Sequence, residues 1–191
     1  MRALVLDGAR GDEPEFALAR AVVGRQLADS GWGVDATVLR DLDIAGCRGC
    51  FGCWVRTPGQ CVADDAGREV ARAAAGSDLL VWLTPVTFGG YSSELKKALD
   101  RLIPSILPFF TTVNGTTRHK LRYDKAQSIA AVGLIREPDE AAETVFRALV
   151  EHNAANFHSP GYGVGIVRAG AGESEMAAVV RGTLRAAGVA Q

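Results

Sequence analysis

Short apolar runs alternate with amphipathic stretches from one end of the chain to the other, the pattern of strands joined by crossover helices in a parallel sheet. Ala3 to Leu6 reads as the first strand. Pro14 suits a first helical turn, and Phe16, Ala19, Val22, Val23 and Leu27 lie on one stripe behind it, with Ser30-Gly31 as the stop. Val34 to Leu39 is a second strand, followed by a helix from about Asp65 to Ala75. Leu79 to Leu83 is apolar without interruption, as expected of a central strand covered on both faces, and Leu95, Leu99, Leu102 and Ile103 then recur at helical spacing. Ile129 to Ile135 and Val164 to Val167 are the fourth and fifth strands. Pro138 opens a helix carrying Val145, Leu149 and Val150, and Met176, Val179, Val180 and Leu184 mark the last one. Residues 104 to 126 contain Pro104, Pro108 and Gly115 and read as a long irregular connection, the place for a lid or a subunit contact.

Five strands with alternating helices and right-handed crossovers suit a single doubly wound α/β domain over residues 1–191, a three-layer sandwich with parallel order 2-1-3-4-5. The rival dinucleotide-binding order needs G-x-G-x-x-G after the first strand. Gly8-Ala9-Arg10-Gly11-Asp12-Glu13-Pro14 matches neither that fingerprint nor a Walker loop. In either order the ligand crevice opens at the carboxyl ends of strands one, three and four, at residues 7–14, 84–91 and 135–139.

The composition narrows the class. The chain has 191 residues, and a fold of this size buries about 70% of the unfolded chain's surface, so it needs no covalent staples. Its 21 Lys+Arg against 22 Asp+Glu give no global field for gathering phosphates or anionic lipid, which argues against a nucleic-acid or membrane-surface binder. No window is long and apolar enough for a membrane span, and the first residues lack the pattern of a signal peptide. A soluble, cytoplasmic protein is expected. In a reducing compartment, cysteines packed closely together favour metal binding or redox chemistry over structural disulfides.

All 4 cysteines lie in one such segment, at Cys47, Cys50, Cys53 and Cys61. The C-x2-C-x2-C run lets three thiolates wrap one face of a cuboidal cluster, since Gly49 and Gly52 allow the backbone to curl, and Cys61 supplies a fourth ligand. A tetrahedral zinc site and free or redox-active thiols are the alternatives.

Two stretches carry a family resemblance. Ile44 to Asp65 has the form I-x2-C-x2-C-x2-C-x7-C-x2-D-D, and Thr84-Pro85-Val86-Thr87-Phe88-Gly89-Gly90-Tyr91-Ser92-Ser93-Glu94-Leu95-Lys96 is followed by Asp100-Arg101. Together they resemble the flavodoxin-like NAD(P)H-dependent FMN reductases, and within them the iron–sulfur flavoproteins and multimeric flavodoxins. The resemblance implies a flavodoxin-like fold, bound FMN, NAD(P)H or a reduced carrier as electron donor, and a homodimer or homotetramer. It also implies a 4Fe–4S cluster on Cys47, Cys50, Cys53 and Cys61 that trades electrons with the flavin, and a small-molecule or protein redox partner.

The second loop suits a flat ring. Pro85 halts regular pairing, Gly89 and Gly90 let the backbone come close, main-chain donors from Thr84 to Tyr91 can meet flavin heteroatoms, and Phe88 or Tyr91 can pack alongside. The bland alternative is a strand-to-helix turn with Ser92 or Ser93 as cap and the aromatics in the core. The first loop departs from the family, because residues 8–14 contain no hydroxyl to cradle a phosphate. Asp12 and Glu13 beside a dianion would each cost about 1 kcal/mol in water and about 4 kcal/mol at an effective dielectric of about 20. Arg10 is the sole nearby compensation in the sequence, with Gly8 as the close-approach position. Either Arg10 and the remaining N–H groups hold the phosphate weakly, or the scaffold has lost FMN. That second course leaves a flavin-free redox or metal-sensing protein. Arg118, His119, Lys120, Arg122 and Lys125 form a local basic cluster, suited to a nicotinamide 2′-phosphate or, more plainly, to exposed surface.

Overall fold

The structure, a computed structural model, describes residues 1–113 and 115–190. β1 (Arg2–Asp7), β2 (Gly33–Val38), β3 (Leu79–Pro85), β6 (Ser128–Ile135) and β7 (Tyr162–Arg168) form one parallel sheet in the order β2-β1-β3-β6-β7. Counting only these five, the order is the expected 2-1-3-4-5.

Alternation along the strands divides the core. On β3, Leu79, Val81 and Leu83 face α1 (Pro14–Asp29) and α6 (Glu173–Ala186), whereas Leu80 and Trp82 face the layer of α3 (Gly67–Gly76), α4 (Ser93–Asp100) and α5 (Glu140–Asn156). The stripe Phe16, Ala19, Val22, Val23 and Leu27 of α1 is buried as expected. On α5 the buried residues are Phe146, Val150 and Ala154, while Val145 is 53% exposed. That helix begins at Glu140 because Asp139 caps it, its carboxylate accepting the Ala142 N–H at 2.9 Å. The two preceding residues, Glu137 and Pro138, belong to the loop.

Residues 104–126 correct the expectation of an irregular connection. A single 3-10 turn over Ile103–Ser105 leads into an antiparallel hairpin of β4 (Ile106–Val113) and β5 (Thr116–Leu121). Pro108 hides the strand pattern, and the register shifts between Ile106 and Phe110, where a proline without an N–H is tolerated. The hairpin is anchored to the cysteine segment. Trp54 donates its indole N–H to Ile106 O at 3.0 Å and packs 5.1 Å from the His119 ring, which in turn packs 4.5 Å from Phe110. Among the described residues, no helix is long and apolar enough to cross a membrane.

α6 lies against β7 where only glycine fits. A Cβ on Gly163 would sit 2.0 Å from Thr183 O, a backbone atom that moves only with the whole helix. Gly163→Ala is expected to destabilise the protein by at least the roughly 1–3 kcal/mol typical of overpacking, read from the urea midpoint. An unchanged midpoint would contradict this packing.

Candidate functional site

The carboxyl ends of β1 and β3 are tied together by buried hydrogen bonds. Gly8 N donates to Leu83 O at 2.8 Å, and Ser92 Oγ donates to Gly8 O at 2.7 Å. Ser92 N donates to Thr84 Oγ1 at 2.9 Å, and Ser92 Oγ accepts the Leu95 N–H at 3.1 Å, capping α4. A Cβ on Gly8 would lie 2.8 Å from both Leu95 Cβ and Ser92 Oγ, so glycine is required for the strands' ends to come this close. Gly8 and Thr84 thus brace the loops from inside rather than face a ligand. Tyr91 is likewise internal: it packs edge-on to Trp82 and Phe146, accepts from Asn153 Nδ2 at 3.0 Å, and is pushed up to about 12 by burial. It is neutral at any ordinary pH.

Above this base lies a cleft of about 900 Å³, lined by Arg10, Gly11 and Glu13 from the first loop, Pro85, Val86, Thr87 and Phe88 from the second, and residues 134–139 and 142. These are the three segments that the strand order singles out. Thr87 and Gly90 exchange backbone hydrogen bonds at 3.0 and 2.8 Å around a turn whose tip, Phe88-Gly89, has φ of 50° and 77°. Positive φ at both central positions is the geometry glycine and asparagine prefer, and for a phenylalanine it costs on the order of 1 kcal/mol. Gly89 is packed onto α5, where a Cβ would lie 2.6 Å from Val145 Cβ. Phe88 is 98% exposed at the lip of the cleft. The turn thus sets a strained, exposed aromatic at the lip of the cleft.

The first loop carries more compensation than its sequence suggests. Arg40, in the 3-10 turn (Leu39–Asp41) that follows β2, donates to Gly11 O and pairs with Asp12, offsetting part of that exposed carboxylate's charge. Glu13 turns back on its own loop, its carboxylate accepting the Gly11 N–H at 3.0 Å. The carboxylate therefore occupies a backbone donor that a phosphate oxygen would use, and Pro14 removes another. Arg10 is exposed, and Arg136 adds a second cation to the cleft, one that the sequence placed in the crevice without singling it out. The five-residue basic cluster is dispersed: Lys125 pairs with Asp78 at 2.5 Å, Arg122 Nε donates to Pro104 O at 2.7 Å, and His119 is held between aromatic rings. His158 Nε2 lies 2.7 Å from His119 O.

The cysteine segment forms a second centre. Gly49 (φ 63°) and Phe51 (φ 53°) curl the chain into a short helix, α2 (Gly52–Val55), and a Cβ on Gly52 would lie 2.5 Å from Val62 Cγ1. That close approach folds the Cys61 end of the loop back toward α2. Cys47, Cys50, Cys53 and Cys61 line one cavity of about 30 Å³. None forms a disulfide; Cys53 is buried, and Cys47 and Cys50 are exposed. Burial pushes the Cys53 thiol up, and neighbouring Cys61 adds to the shift. Among the described residues, no three His, Cys, Asp or Glu side chains are drawn together in a metal-binding arrangement.

Beneath this cavity lies a buried ion pair. Arg101 at the end of α4 donates to both oxygens of Asp65 at 2.7 Å, with side-chain exposures of 1% and 11%. Asp65 also accepts the N–H groups of Ala45 at 3.1 Å and Gly67 at 2.9 Å. The bond from Arg101 holds the Asp65 carboxyl down at about 2. Arg101 Nε is buried without a partner.

Solved structures sharing the fold include an FMN-dependent NADH-azoreductase from Bacillus anthracis in complex with FMN, at TM-score 0.67, 11% identity and 98% coverage of both chains. Another is the NAD(P)H:quinone oxidoreductase from Methanothermobacter marburgensis, at TM-score 0.65, 10% identity and coverage of 97% of this chain and 94% of that one. The class is flavodoxin-like α/β. The profile of the NADPH-dependent FMN reductases matches residues 1–181, and the chain belongs to that family. Similar curated proteins are an iron–sulfur flavoprotein of Archaeoglobus fulgidus, 29% identical over 80 residues, and one of Methanocaldococcus jannaschii, 27% identical over 109 residues. The matches cover 42% and 57% of this chain but only 36% and 55% of those relatives' own lengths.

Two predictions follow from the geometry. Because the folded carboxyl of Asp65 titrates below its ordinary 3.8, the pair's contribution is fully present above that pH and is lost as pH falls toward about 2. Asp65→Asn should remove this acid-side loss and, by stranding a buried guanidinium, cost about 3–5 kcal/mol in urea unfolding at neutral pH. A neutral-pH stability equal to that of the parent would refute the pair's role. Glu13→Gln should tighten FMN about tenfold or more while leaving riboflavin, which lacks the phosphate, unchanged in a fluorescence titration, since a charge pair at this separation is worth up to about 4 kcal/mol. Equal effects on both flavins would show that Glu13 does not compete with the phosphate.

Proposed function

We propose that this protein is an FMN-dependent oxidoreductase that takes electrons from NAD(P)H, or from a reduced carrier, and passes them to a small-molecule or protein acceptor. The observation that carries the reading is the cleft at the ends of β1, β3 and β6, with the Phe88-Gly89 turn on one side and Arg10 and Arg136 on the other. Family membership supports it, and so does the fold shared with FMN-bound reductases. The cleft fits the ring half of FMN through Phe88, which offers an aromatic face, while the Val86 and Thr87 N–H groups are already bonded to Leu134 O and Gly90 O. It fits the phosphate half through Arg10 and, once Glu13 has swung off it, the Gly11 N–H. FMN, when bound, supplies the hydride and single-electron chemistry, so no protein acid or nucleophile is needed. The chain's own part is to orient the ring, shield one face and bind the phosphate.

In the same reading, Cys47, Cys50, Cys53 and Cys61 carry a 4Fe–4S cluster that exchanges electrons with the flavin. The donor set fits by number and by lining one cavity, and the unpartnered Arg101 N–H beneath it suits a sulfur-rich group. The names of the two curated relatives support it. Phe109 and Phe110, 64% and 62% exposed on the hairpin, make that element the surface for a homodimer or homotetramer contact. One observation favours the alternative, a flavin-free redox or metal-sensing protein: the Glu13 carboxylate already bonded to Gly11.

Anaerobic purification followed by an absorbance spectrum separates the two readings. Flavin bands bleached by NAD(P)H, with a broad brown shoulder and equal iron and acid-labile sulfide that vanish in Cys61→Ser, are expected. A colourless protein that fails to take up added FMN would overturn the oxidoreductase reading.

A further inference from the structure

The cysteine loop starts and ends on the same side chain. Arg101 NH1 donates to Ala45 O at 2.8 Å, two residues before Cys47, and Arg101 NH2 reaches Ala63 O at 3.5 Å, two residues after Cys61. Asp65, gripped by the same guanidinium, fixes the Ala45 N–H, so both backbone groups of Ala45 are bound to the pair. Gly67 exists to admit this side chain: a Cβ there would lie 2.9 Å from Arg101 Cζ. Arg101 also lines the cavity into which the four cysteines open.

That accounts for the two terminal nitrogens and leaves Nε. Its N–H is buried and has no acceptor among the described residues, a state that costs about 1–3 kcal/mol unless something else in the cavity accepts it. The groups at hand in that cavity are sulfurs. A donor to a cluster sulfur stabilises the more negative, reduced form and raises the reduction potential.

We propose that Arg101 is the positioning residue of the cysteine loop, pinning both its ends, and that its free Nε–H donates to a sulfur of the iron–sulfur group and raises that group's reduction potential. The inference rests on the iron–sulfur reading of the four cysteines. Lysine at this position keeps the charge and a bond to Asp65 but lacks both the Nε–H and the fork that reaches Ala45 and Ala63, so the substitution tests donor and staple together and a 15N coupling isolates the donor.

The test uses the full-length protein, with iron and sulfide restored anaerobically, and titrates the cluster with dithionite, which supplies the single electron. Arg101→Lys should retain iron and sulfide and fall about tenfold in its equilibrium constant for reduction, a shift of about 59 mV to the negative for one electron. In parent protein labelled with [15N]arginine, the reduced cluster should show a 15N hyperfine coupling that persists in Arg48→Lys, which removes the other arginine lining the cavity. If Arg101→Lys does not fold, that coupling decides alone. A missing coupling, or a potential unchanged in Arg101→Lys, overturns the role of Arg101 while the cluster stands. A parent protein that takes up no iron and sulfide overturns the cluster reading and this inference together.

Discussion

The two loops that frame the cleft are held by one buried knot in which Ser92 touches the ends of both β1 and β3. Its hydroxyl donates to Gly8 O and caps α4, and its N–H is received by Thr84 Oγ1. In an open parallel sheet, neighbouring strands part company where their connections leave to opposite faces, and that splaying creates the crevice. It also leaves backbone groups unpaired at the bottom. The knot satisfies them and sets the distance between the first and second loops, so the position of Arg10 relative to Phe88 depends on a serine that faces neither.

The cysteine segment is organised differently. It has no sheet beneath it to impose order, and its shape comes from glycine at two tight places and from a charge pair at its root. Burying Arg101 and Asp65 is costly in desolvation, and such pairs add little net stability over an apolar substitute. What this one contributes is geometry: four hydrogen bonds, two to the carboxylate and two from the guanidinium, gather residues 45, 63 and 67 around the pair. Aromatic stacking continues outward, Phe51 lying 4.9 Å from Trp54, Trp54 against His119 and His119 against Phe110, so a chain of rings joins the cysteine segment to the hairpin.

The two ends of the cleft are in tension. At the ring end the protein accepts strain at Phe88 and leaves an aromatic side chain in water, a cost with no return in the isolated chain. At the first loop a backbone donor, the Gly11 N–H, is taken by Glu13 of the same loop. A flavin could relieve the first cost, whereas the second must be undone before a phosphate is held. Arg40 offsets part of the Asp12 charge from the turn that follows β2.

The alternation of apolar runs determined the five parallel strands, their order and the three segments at the crevice, because burial on both faces of a sheet admits few other patterns. Cysteine spacing likewise marked the second centre, and the absence of hydroxyls in residues 8–14 was legible directly. Tertiary structure alone decided which side of a loop faces out: Thr84 and Tyr91 turn inward to partners 8 and 62 residues away, and of the loop's two aromatics it is Phe88 that is left at the lip. It decided that residues 106–121 pair as a hairpin, since Pro108 breaks the periodic signal and the pairing is anchored by Trp54, more than fifty residues earlier. It decided also that Arg40 and Arg101 matter, because a charge reveals its partner only when folding brings the two together.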